Sequence, residues 1–495
     1  MAWWRANAAA RIGLGLNYGF LIDNRRCIGC HACSVACKVE HEVPLGVART
    51  WVKYVEKGAF PETRRTFQVT RCNHCADAPC VEICPTTALF TRRDGIVDFD
   101  GRRCIGCKAC MQACPYDALY IDPQTETAAK CNYCAHRVEV GLEPPCVVVC
   151  PTQAIVAGDL DDPESRITQL TGRIPVQVRK PEKGTRPKLY YIEGDLASLV
   201  PTAAPPASDY MWAQAPQAAA LEGVPLTEDA GAPRRTYGVR EQQRNSWGWK
   251  VSAYLWTKSL AAGALLVPAL KSLPDRGSAP NILHASTALF FLAVTGLLLV
   301  WDLRQPSRFL WTLTRPQWRS WLTRGSYVIS AYAAILVAEV AAAALGGPWP
   351  LGLTATSIVL AAATAVYTAW LFGQAKGRDL WQSPLLAPHL LVQALVAGAA
   401  LWEPGWLLWL LPANGLFVVA EVFGPHPTDD AARAAALIHE DRRLTSLVLV
   451  VGHLLPLAVL WSGPWARFPA SGLALAGLLA WEQLFVEAPQ RIPNA

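Results

Sequence analysis

Cysteine is absent after Cys150, and charged residues make up only 17% of the 495 residues. No secretory signal peptide is recognisable before Cys27, and the start Met1-Ala2-Trp3-Trp4 carries no twin-arginine signal, so we expect no export of the N-terminal part. No recognisable motif for pterin or nicotinamide binding is present, so we expect the substrate chemistry to lie in a partner. The net charge of +6 gives no indication of nucleic-acid binding, because the arginines lie beside apolar segments.

The sixteen cysteines form four groups of four, and three of the groups end in Cys-Pro. In chain order they read Cys27-x2-Cys30-x2-Cys33-x3-Cys37, Cys72-x2-Cys75-x4-Cys80-x3-Cys84, Cys104-x2-Cys107-x2-Cys110-x3-Cys114 and Cys131-x2-Cys134-x11-Cys146-x3-Cys150. In runs of this kind three thiolates on one tight turn hold one cubane, while the cysteine after the x3 gap binds the neighbouring cluster. Four groups of four therefore predict four [4Fe-4S] clusters.

Zinc and disulfides are the alternatives for such cysteines. Zinc ribbons and knuckles use two Cys-x2-Cys pairs per metal and give no reason for a third cysteine or a trailing Cys-Pro. Disulfide scaffolds are typical of short secreted chains, whereas this chain is long and shows no signal peptide. Both alternatives are therefore disfavoured.

Composition divides the chain into three parts. Residues 1–198 carry every cysteine, residues 199–246 form an Ala- and Pro-rich connector, and residues 247–495 contain repeated long apolar runs. The eight candidate membrane spans are 251–270, 281–301, 327–345, 351–372, 385–402, 406–422, 447–461 and 471–486. Their edges are marked by Trp247, Trp249, Trp301, Trp311, Trp402, Trp406 and Trp461. We predict an α+β cluster domain followed by an all-α bundle of about eight transmembrane helices.

An even number of spans places both ends of the bundle on one side of the membrane. The loops on the cluster-domain side then hold ten Lys and Arg residues, namely Arg304, Arg308, Arg315, Arg319, Arg324, Lys376, Arg378, Arg433, Arg442 and Arg443. The opposite loops hold only three, namely Lys271, Arg276 and Arg467. By the positive-inside rule, this asymmetry predicts a cluster domain that faces the cytoplasm from the inner (cytoplasmic) membrane.

Several of these motifs resemble those of a known family. Asp23-x3-Cys27-Ile28-Gly29-Cys30, Cys72-Asn73-His74-Cys75 and Lys130-Cys131-Asn132-Tyr133-Cys134 resemble the four-cluster iron–sulfur subunits of the dimethyl sulfoxide reductase family, over about residues 15–195. The second half resembles the polysulfide-reductase (NrfD-like) membrane anchor, in Asp302-Leu303-Arg304-Gln305-Pro306, Thr314-Arg315-Pro316 and Trp381-x-Ser383-Pro384. In that family the two parts are usually separate polypeptides, and here they are fused.

The resemblance implies a bis-ferredoxin-like domain in which ligands are exchanged between groups. The implied ligand sets are Cys27, Cys30, Cys33 with Cys150; Cys131, Cys134, Cys146 with Cys37; Cys104, Cys107, Cys110 with Cys84; and Cys72, Cys75, Cys80 with Cys114. No ligand position is replaced, so no three-iron cluster is expected. Nearby basic residues either raise the cluster potentials or serve solubility and partner binding, and they are Arg25, Arg26, Arg71, Arg102, Arg103, Lys108 and Lys130.

The membrane half favours a quinone site over haem. Only three histidines lie in or beside the spans, and they are too scattered to predict paired haem ligation. Quinone reduction needs two electrons and two protons, so ionisable groups at membrane depth are candidates, although interhelical pairing is an alternative for each. The candidates are Lys258, His284, Asp302, Glu339, His389, Glu421 and His453, with Tyr254 and Tyr367 as donors to the quinone carbonyls.

These features together predict the electron-transfer and membrane-anchor subunit of a quinone-linked oxidoreductase complex. Electrons would pass through four clusters between a molybdopterin-type catalytic subunit, with molybdenum or tungsten, and menaquinone or ubiquinone. The chain itself is expected to hold no catalytic centre for substrate. One alternative is a redox-driven proton-translocating module fed by a soluble donor, in which Lys258, Glu339 and Glu421 move protons; another is a structural anchor that binds no quinone.

Overall fold

The computed structural model describes residues 15–58, 61–204, 232–238, 247–272, 281–345 and 351–495. A region of short strands and helices precedes a region that is entirely helical, so the predicted order of an α+β part and a helical membrane part is confirmed. Arg276 and most of the predicted connector 199–246 lie outside the described residues.

The strands of the first region form two sheets and two small hairpins. The strands are β1 Tyr18–Asp23, β2 Thr50–Lys57, β3 Arg64–Arg71, β4 Leu89–Thr91, β5 Val97–Phe99, β6 Leu119–Ile121, β7 Ala128–Lys130, β8 Ile155–Asp159, β9 Val176–Gln177, β10 Leu189–Ile192 and β11 Arg234–Tyr237. One sheet has the order β8-β1-β10-β9 and the other the order β11-β2-β3, while β4 pairs with β5 and β6 with β7. Only β1 and β10 pair in parallel among the described strands.

Strand β11 belongs to the predicted connector, yet it pairs antiparallel with β2 of the cluster domain. Arg235 within it is buried and donates to the backbone oxygen of Ala495 at 3.1 Å. A four-residue piece of the connector therefore completes a sheet of the cluster domain, although the domain bounds 1–198 and 247–495 remain predictions.

The first region contains seven short helices, and the first five of them carry or flank cysteines. They are α1 Ala32–Glu40, α2 Pro79–Glu82, α3 Ala109–Ala113, α4 Ala135–Val138, α5 Pro145–Val148, α6 Arg166–Arg173 and α7 Leu196–Leu199. Helices α2 and α5 begin with proline, whose fixed φ suits the first helical position. The cysteine groups thus lie on short helical turns between the hairpins.

The second region contains eight helical segments at the predicted spans. The helices are α8 Trp249–Ser272, α9 Ile282–Asp302, α10 Trp311–Thr314, α11 Trp321–Ala344, α12 Leu351–Gly373, α13 Leu386–Trp402, α14 Leu407–Phe423, α15 Asp429–Glu440, α16 Arg442–Ser446, α17 Leu455–Leu460 and α18 Arg467–Arg491, with a π-helix at Leu447–Leu454 between α16 and α17. Seven segments of the described residues are long and apolar enough to cross a membrane, and α13 is a shorter apolar helix of 17 residues. The protein is thus a multi-pass membrane protein.

Helix α8 is the central helix of the bundle, because 83% of its apolar window is buried against 22% for α9. Gly263 permits its close contact with α13: a Cβ there would lie 2.0 Å from the backbone oxygen of Ala394 and 2.5 Å from the nitrogen of Gly398. Small residues at helix crossings let membrane helices pack backbone to backbone. This contact fixes α8 and α13 side by side beneath the cluster domain.

Candidate electron-transfer sites and membrane pocket

Two of the cysteine loops share one backbone conformation. Gly29 and Gly106 have φ of 71° and 68°, and His31 and Lys108 follow with φ of 61° and 63°. Left-handed residues between the cysteines curl the loop and aim backbone N–H groups at its inside, which suits anionic sulfur. The N–H of Gly106 accordingly donates to Cys104 Sγ at 3.3 Å. The glycine two residues after the first cysteine of each loop is therefore explained by its left-handed conformation.

The sixteen thiols divide into four groups, each of which corresponds to one implied ligand set. Group A is Cys27, Cys30, Cys33 and Cys150; group B is Cys37, Cys131, Cys134 and Cys146; group C is Cys72, Cys75, Cys80 and Cys114; and group D is Cys84, Cys104, Cys107 and Cys110. All sixteen thiols are free, and Cys30 is the only exposed one.

The members of each group lie near one another in the fold. Burial raises the pKa of Cys134, and the charges of the other three members of group B raise it further. Burial likewise raises the pKa of Cys80 in group C and of Cys110 in group D, and in both cases the other three members of the same group add to the effect. For Cys27 burial is again the largest cause, and two other members of group A raise the pKa further.

Charge effects on thiol pKa values also act between groups, and they give the spatial order of the groups. The pairs that link neighbouring groups are Cys33 with Cys146, Cys131 with Cys72, and Cys110 with Cys80. These pairs join A to B, B to C and C to D in turn. The four groups therefore form a row from the exposed Cys30 to group D.

Arg71 is a buried cation beside the thiols, and its surroundings show whether an anionic cluster fits there. Its side chain is fully buried at the end of β3, donates from Nη1 to Cys146 Sγ at 3.1 Å, and lies 4.5 Å from the ring centroid of Phe20. Its Nε and Nη2 have no hydrogen-bond partner within the described part of the protein. A buried cation with unpaired donors needs an anionic partner, and cluster thiolates and sulfides supply one.

The donor set also fits clusters better than single ions. Within the described residues, no three His, Cys, Asp or Glu side chains are arranged around one metal ion. Zinc gathers its ligands at about 2.3 Å around a single centre, whereas a cubane takes one thiolate on each iron, so that its ligands stand around the outside. In the described residues the four thiols of group A line one small cavity, and the four thiols of group D line another.

The structure separates the basic residues that the sequence grouped together. Arg71, Lys108 and Lys130 are buried. The remaining four are exposed, namely Arg25, Arg26, Arg102 and Arg103. Lys108 pairs with Asp302 at 2.8 Å, so its charge is shared with the membrane domain. Arg71 is thus the buried cation with the most direct contact to thiols.

The outer end of the row lies beneath exposed apolar side chains. Ile28 in the group A loop is 56% exposed, and Val148 and Val149, just before Cys150, are also exposed. Val35 and Val39 add to this surface from α1, the helix that carries Cys33 and Cys37. Such an apolar patch beside the exposed Cys30 is typical of an interaction site.

The inner end of the row is bound to the membrane domain. The loop after α9 donates from the nitrogen of Arg304 to the oxygen of Gly106 at 3.3 Å, and Arg308 Nη1 donates to the oxygen of Cys104 at 2.9 Å. Trp247 Nε1 donates to the oxygen of Cys107 at 3.0 Å. A Cβ at Gly106 would lie 2.5 Å from the Cβ of Arg304, so this contact requires glycine. Group D is therefore anchored directly on the bundle.

A cavity of about 220 Å³ lies immediately below group D, between α8, α9, α11 and α12. Cys107 lines it together with apolar side chains of the four helices. Its polar edge is formed by Tyr254, Asp302 and Tyr367, three of the residues predicted to act at a quinone site. An apolar pocket with a few polar groups is typical of small-molecule sites. We refer to it as the junction pocket.

Lys258 lies beside the junction pocket without lining it. Its Nζ is 5.4 Å from the ring centroid of Tyr367 and donates to the oxygen of Ala365 at 2.7 Å and to Thr368 Oγ1. It is also within electrostatic range of Glu482, which in turn acts on Tyr254. Glu482 was missed in the sequence reasoning, although it lies within the predicted span 471–486 and meets the same criterion of an ionisable residue at membrane depth.

His389 and Glu421 are brought together in the bundle but away from the junction pocket. Their Nδ1 and Oε2 atoms are 2.9 Å apart, and both side chains are buried. Gln393 lies one turn deeper, 3.3 Å from His389 Nε2. With its amide oxygen accepting from Trp481 Nε1 at 3.0 Å, Gln393 donates to Glu482 Oε1 at 2.8 Å. A buried polar chain thus links helices α13, α14 and α18.

The other candidates lie elsewhere in the bundle. His284 is in the first turn of α9, where it caps the helix and packs on Trp402, about 27 Å along that helix from Asp302 on a rise of 1.5 Å per residue. Glu339 accepts from Ser357 at 2.8 Å in the contact between α11 and α12. His453, on the π-helix, is 3.0 Å from Asn414 Nδ2. None of these three lines the junction pocket.

Comparisons with known proteins agree with both halves of the fold. Residues 63–160 match the family model described as a 4Fe-4S dicluster domain, and residues 238–409 match the model described as polysulphide reductase, NrfD. The second match begins just before α8 and ends within α14.

The relatives each match little more than a third of this protein and most of their own length. A tetrathionate reductase subunit of Salmonella typhimurium is 46% identical over 188 residues, which are 37% of this protein and 75% of that relative. A polysulfide reductase polypeptide of Wolinella succinogenes is 42% identical over 35% of this protein and 93% of that relative. The thiosulfate reductase electron transfer subunit of Salmonella typhi is 44% identical over 35% of this protein and 91% of that relative.

Proposed function

Since this protein belongs to the family of iron–sulfur electron-transfer subunits of the tetrathionate, thiosulfate and polysulfide reductase type, fused here to an NrfD membrane domain, we propose that it carries electrons between a catalytic subunit and a membrane quinone. The main support for this proposal is the row of thiol groups, which begins at the exposed Cys30 and ends at Cys107 on the wall of the junction pocket. The same row would carry electrons in either direction, toward the quinone or toward the catalytic subunit.

Each thiol group would hold one [4Fe-4S] cluster, giving four in the protein. The support is that each group gathers three thiols of one sequence run with one thiol from another run, in the manner of exchanged ferredoxin ligands. The clusters supply one-electron transfer, and the protein supplies thiolates, backbone N–H donors and the buried cation Arg71.

The junction pocket would bind the head group of menaquinone or ubiquinone. Its apolar walls suit a ring and isoprenoid tail, and Tyr254 and Tyr367 offer hydroxyl donors for the carbonyl oxygens. The charges of Asp302 and Lys108 neutralise each other at the edge nearest to group D. Because Cys107 lines the same cavity, an electron would travel only a short distance from the group D cluster to a quinone in the pocket.

The exposed apolar surface around group A would dock the catalytic subunit, which we expect to carry molybdopterin with molybdenum or tungsten. The relatives are subunits of reductases, which supports a partner that performs the substrate chemistry. The cluster domain would face the cytoplasm at the inner membrane. Support comes from Arg304 and Arg308, two of the basic loop residues, which contact the cluster domain directly.

A matched pair of cysteine variants tests this function. The full-length protein is purified from native membranes, its iron and its co-purifying polypeptides are determined, and its clusters are reduced with dithionite and mixed with a short-chain ubiquinone. We expect about sixteen irons per molecule, four for each cluster. Cys107→Ser should stop rapid reoxidation of the remaining clusters, whereas Cys30→Ser should leave it intact. Equal reoxidation in both variants, or none in the unmodified protein, would contradict the proposal.

A further inference from the structure

We propose that a buried proton path connects the junction pocket with the aqueous phase on the cluster-domain side, through Lys258, Glu482, Gln393, His389 and Glu421. This inference rests on the proposed quinone chemistry and adds the route and the side of its protons. Reduction of one quinone takes two electrons, which arrive singly through group D, and two protons, and yields one quinol. Oxidation of quinol runs the same balance in reverse and releases both protons.

The entrance of the path is a second cavity, of about 550 Å³, where the cluster domain meets the bundle. Glu421 lines it near the end of α14, beside Asp379 and His426 of the bundle and Lys183 of the cluster domain. One carboxylate oxygen of Glu421, Oε1, has no hydrogen-bond partner within the described residues. A buried carboxyl with a free oxygen on a cavity that other charged side chains also line is placed to exchange a proton with water.

The first transfer is between Glu421 and His389. Their 2.9 Å contact joins a carboxyl to an imidazole nitrogen in a site from which bulk water is excluded. An imidazole takes a proton on one nitrogen and releases one from the other, and Nε2 of His389 faces inward, away from Glu421. His389 therefore takes a proton at Nδ1, which faces Glu421 and the cavity, and releases one from Nε2, which faces the interior of the bundle.

Gln393 spans the gap between His389 and Glu482. Its amide holds no titratable proton, so its part is to fix the spacing of the two groups and to offer polar atoms to a bridging water. The contacts that surround this point are His389 Nε2 at 3.3 Å, Glu482 Oε1 at 2.8 Å and Trp481 Nε1 at 3.0 Å. These distances are contacts of Gln393 itself, and a bridging water beside the same polar atoms would find the two to four partners that a buried water needs.

The inner end of the path is the pair of Glu482 and Lys258. Each lies about 13 Å from the cluster-side end of its helix, on a rise of 1.5 Å per residue. Each is a buried ionisable group that acts on the other. Lys258 then contacts the ring of Tyr367, and Glu482 is within electrostatic range of Tyr254, and both tyrosines line the junction pocket.

The location of the path decides the side of proton exchange. All five residues lie within about 14 Å of the cluster-side ends of their helices, on a rise of 1.5 Å per residue, whereas Glu339 and His284 lie about 27 Å from those ends. Protons taken up by quinone thus come from the cluster-domain side, and those released by quinol return there.

The test uses the full-length protein with its clusters, reduced by dithionite and mixed with decylubiquinone in ordinary water and in D2O. Glu421→Gln, His389→Phe and Glu482→Gln are compared with Glu487→Gln. This control makes the same change on α18, where Glu487 pairs with Gln483 and with Arg491 at the helix end. We expect reoxidation to slow at least tenfold in the three path variants, with a larger solvent isotope effect, and to stay unchanged in the control.

Iron content and decylubiquinone affinity separate a blocked path from a damaged fold. Should a variant lose either one, His389→Gly provides the decisive measurement, because added imidazole should restore its rate if position 389 passes protons. Rates equal to the control in all path variants, or no rescue by imidazole, would overturn the path while leaving quinone reduction intact. If the unmodified protein neither binds nor is oxidised by the quinone, the proposed function itself is wrong.

Sidedness is measured in liposomes that hold the protein with the cluster domain outward, as established by protease accessibility. With decylubiquinone and externally added reduced methyl viologen, whose one-electron oxidation releases no proton, proton uptake should appear in the outer medium, and the pH reported by trapped pyranine should not change. Uptake from the lumen would refute the path.

Discussion

Replacement of Arg71 by methionine should lower the potentials of two clusters and leave the other two unchanged. The guanidinium contacts Cys146 of group B and is within electrostatic range of Cys33 of group A and Cys131 of group B. Reduction adds one negative charge to a cluster, and a nearby cation stabilises that charge. Removal of the cation therefore makes groups A and B harder to reduce.

The size of the shift follows from the contact distance. The Nη1 atom is 3.1 Å from Cys146 Sγ, so the added charge is taken to lie about 6 Å from the cation. At an effective dielectric constant of about 20, the Coulomb energy is about 3 kcal/mol. For a one-electron couple this equals about 120 mV, since a tenfold change corresponds to about 59 mV. We expect about half of this after relaxation of the site, or roughly 60 mV.

The assay is a redox titration of the purified protein followed by EPR at low temperature. Arg71→Lys, which keeps the charge, is the matched control, and groups C and D serve as internal controls in the same sample. The reasoning is refuted if Arg71→Met retains its iron and all four potentials stay within about 20 mV of the unmodified protein, or if groups C and D shift as much as A and B.

Two further predictions concern how the domains and helices are held together. Gly263→Ala should destabilise the bundle by about 1–3 kcal/mol or more, because the added Cβ would lie 2.0 Å from the backbone of Ala394. Gly296→Ala, which has open space around it, is the control and should leave the thermal unfolding of the purified protein unchanged. Equal melting temperatures of the two variants would contradict the packing argument. Lys108→Met or Asp302→Asn should each cost about 3–5 kcal/mol, since either change leaves a largely buried charge unpaired. A double-mutant cycle that gives no coupling energy would show that the pair does not link the domains.

The sequence determined the cofactor chemistry, because ligand spacing is local. Three cysteines within seven residues, with glycine at the left-handed position 106 or 29, can form only a tight loop around one centre. The eight spans were predictable for a related reason: a helix in lipid must satisfy its backbone internally, so that length and apolar composition reveal it.

Only the tertiary structure decided which ionisable residues act together. Asp302 and Tyr367 line one pocket with Cys107, although 195 residues separate Asp302 from that cysteine in the sequence. His389 meets Glu421 and not the junction pocket, and Glu482, overlooked in the sequence, accepts a hydrogen bond from Gln393 beside His389. Similarly, seven basic residues near the cysteines were equivalent in sequence, and burial together with the contact to Cys146 Sγ singled out Arg71.

The physical reason for this division is the range of the interactions. Metal-ligand loops and membrane spans are specified by residues a few positions apart, so the sequence by itself determined an iron–sulfur domain joined to a helical membrane domain. The order of the thiol groups, the pocket beneath group D and the polar chain behind it depend on which helix faces which. Those contacts come from close packing at points such as Gly263, and only the folded protein brings them together.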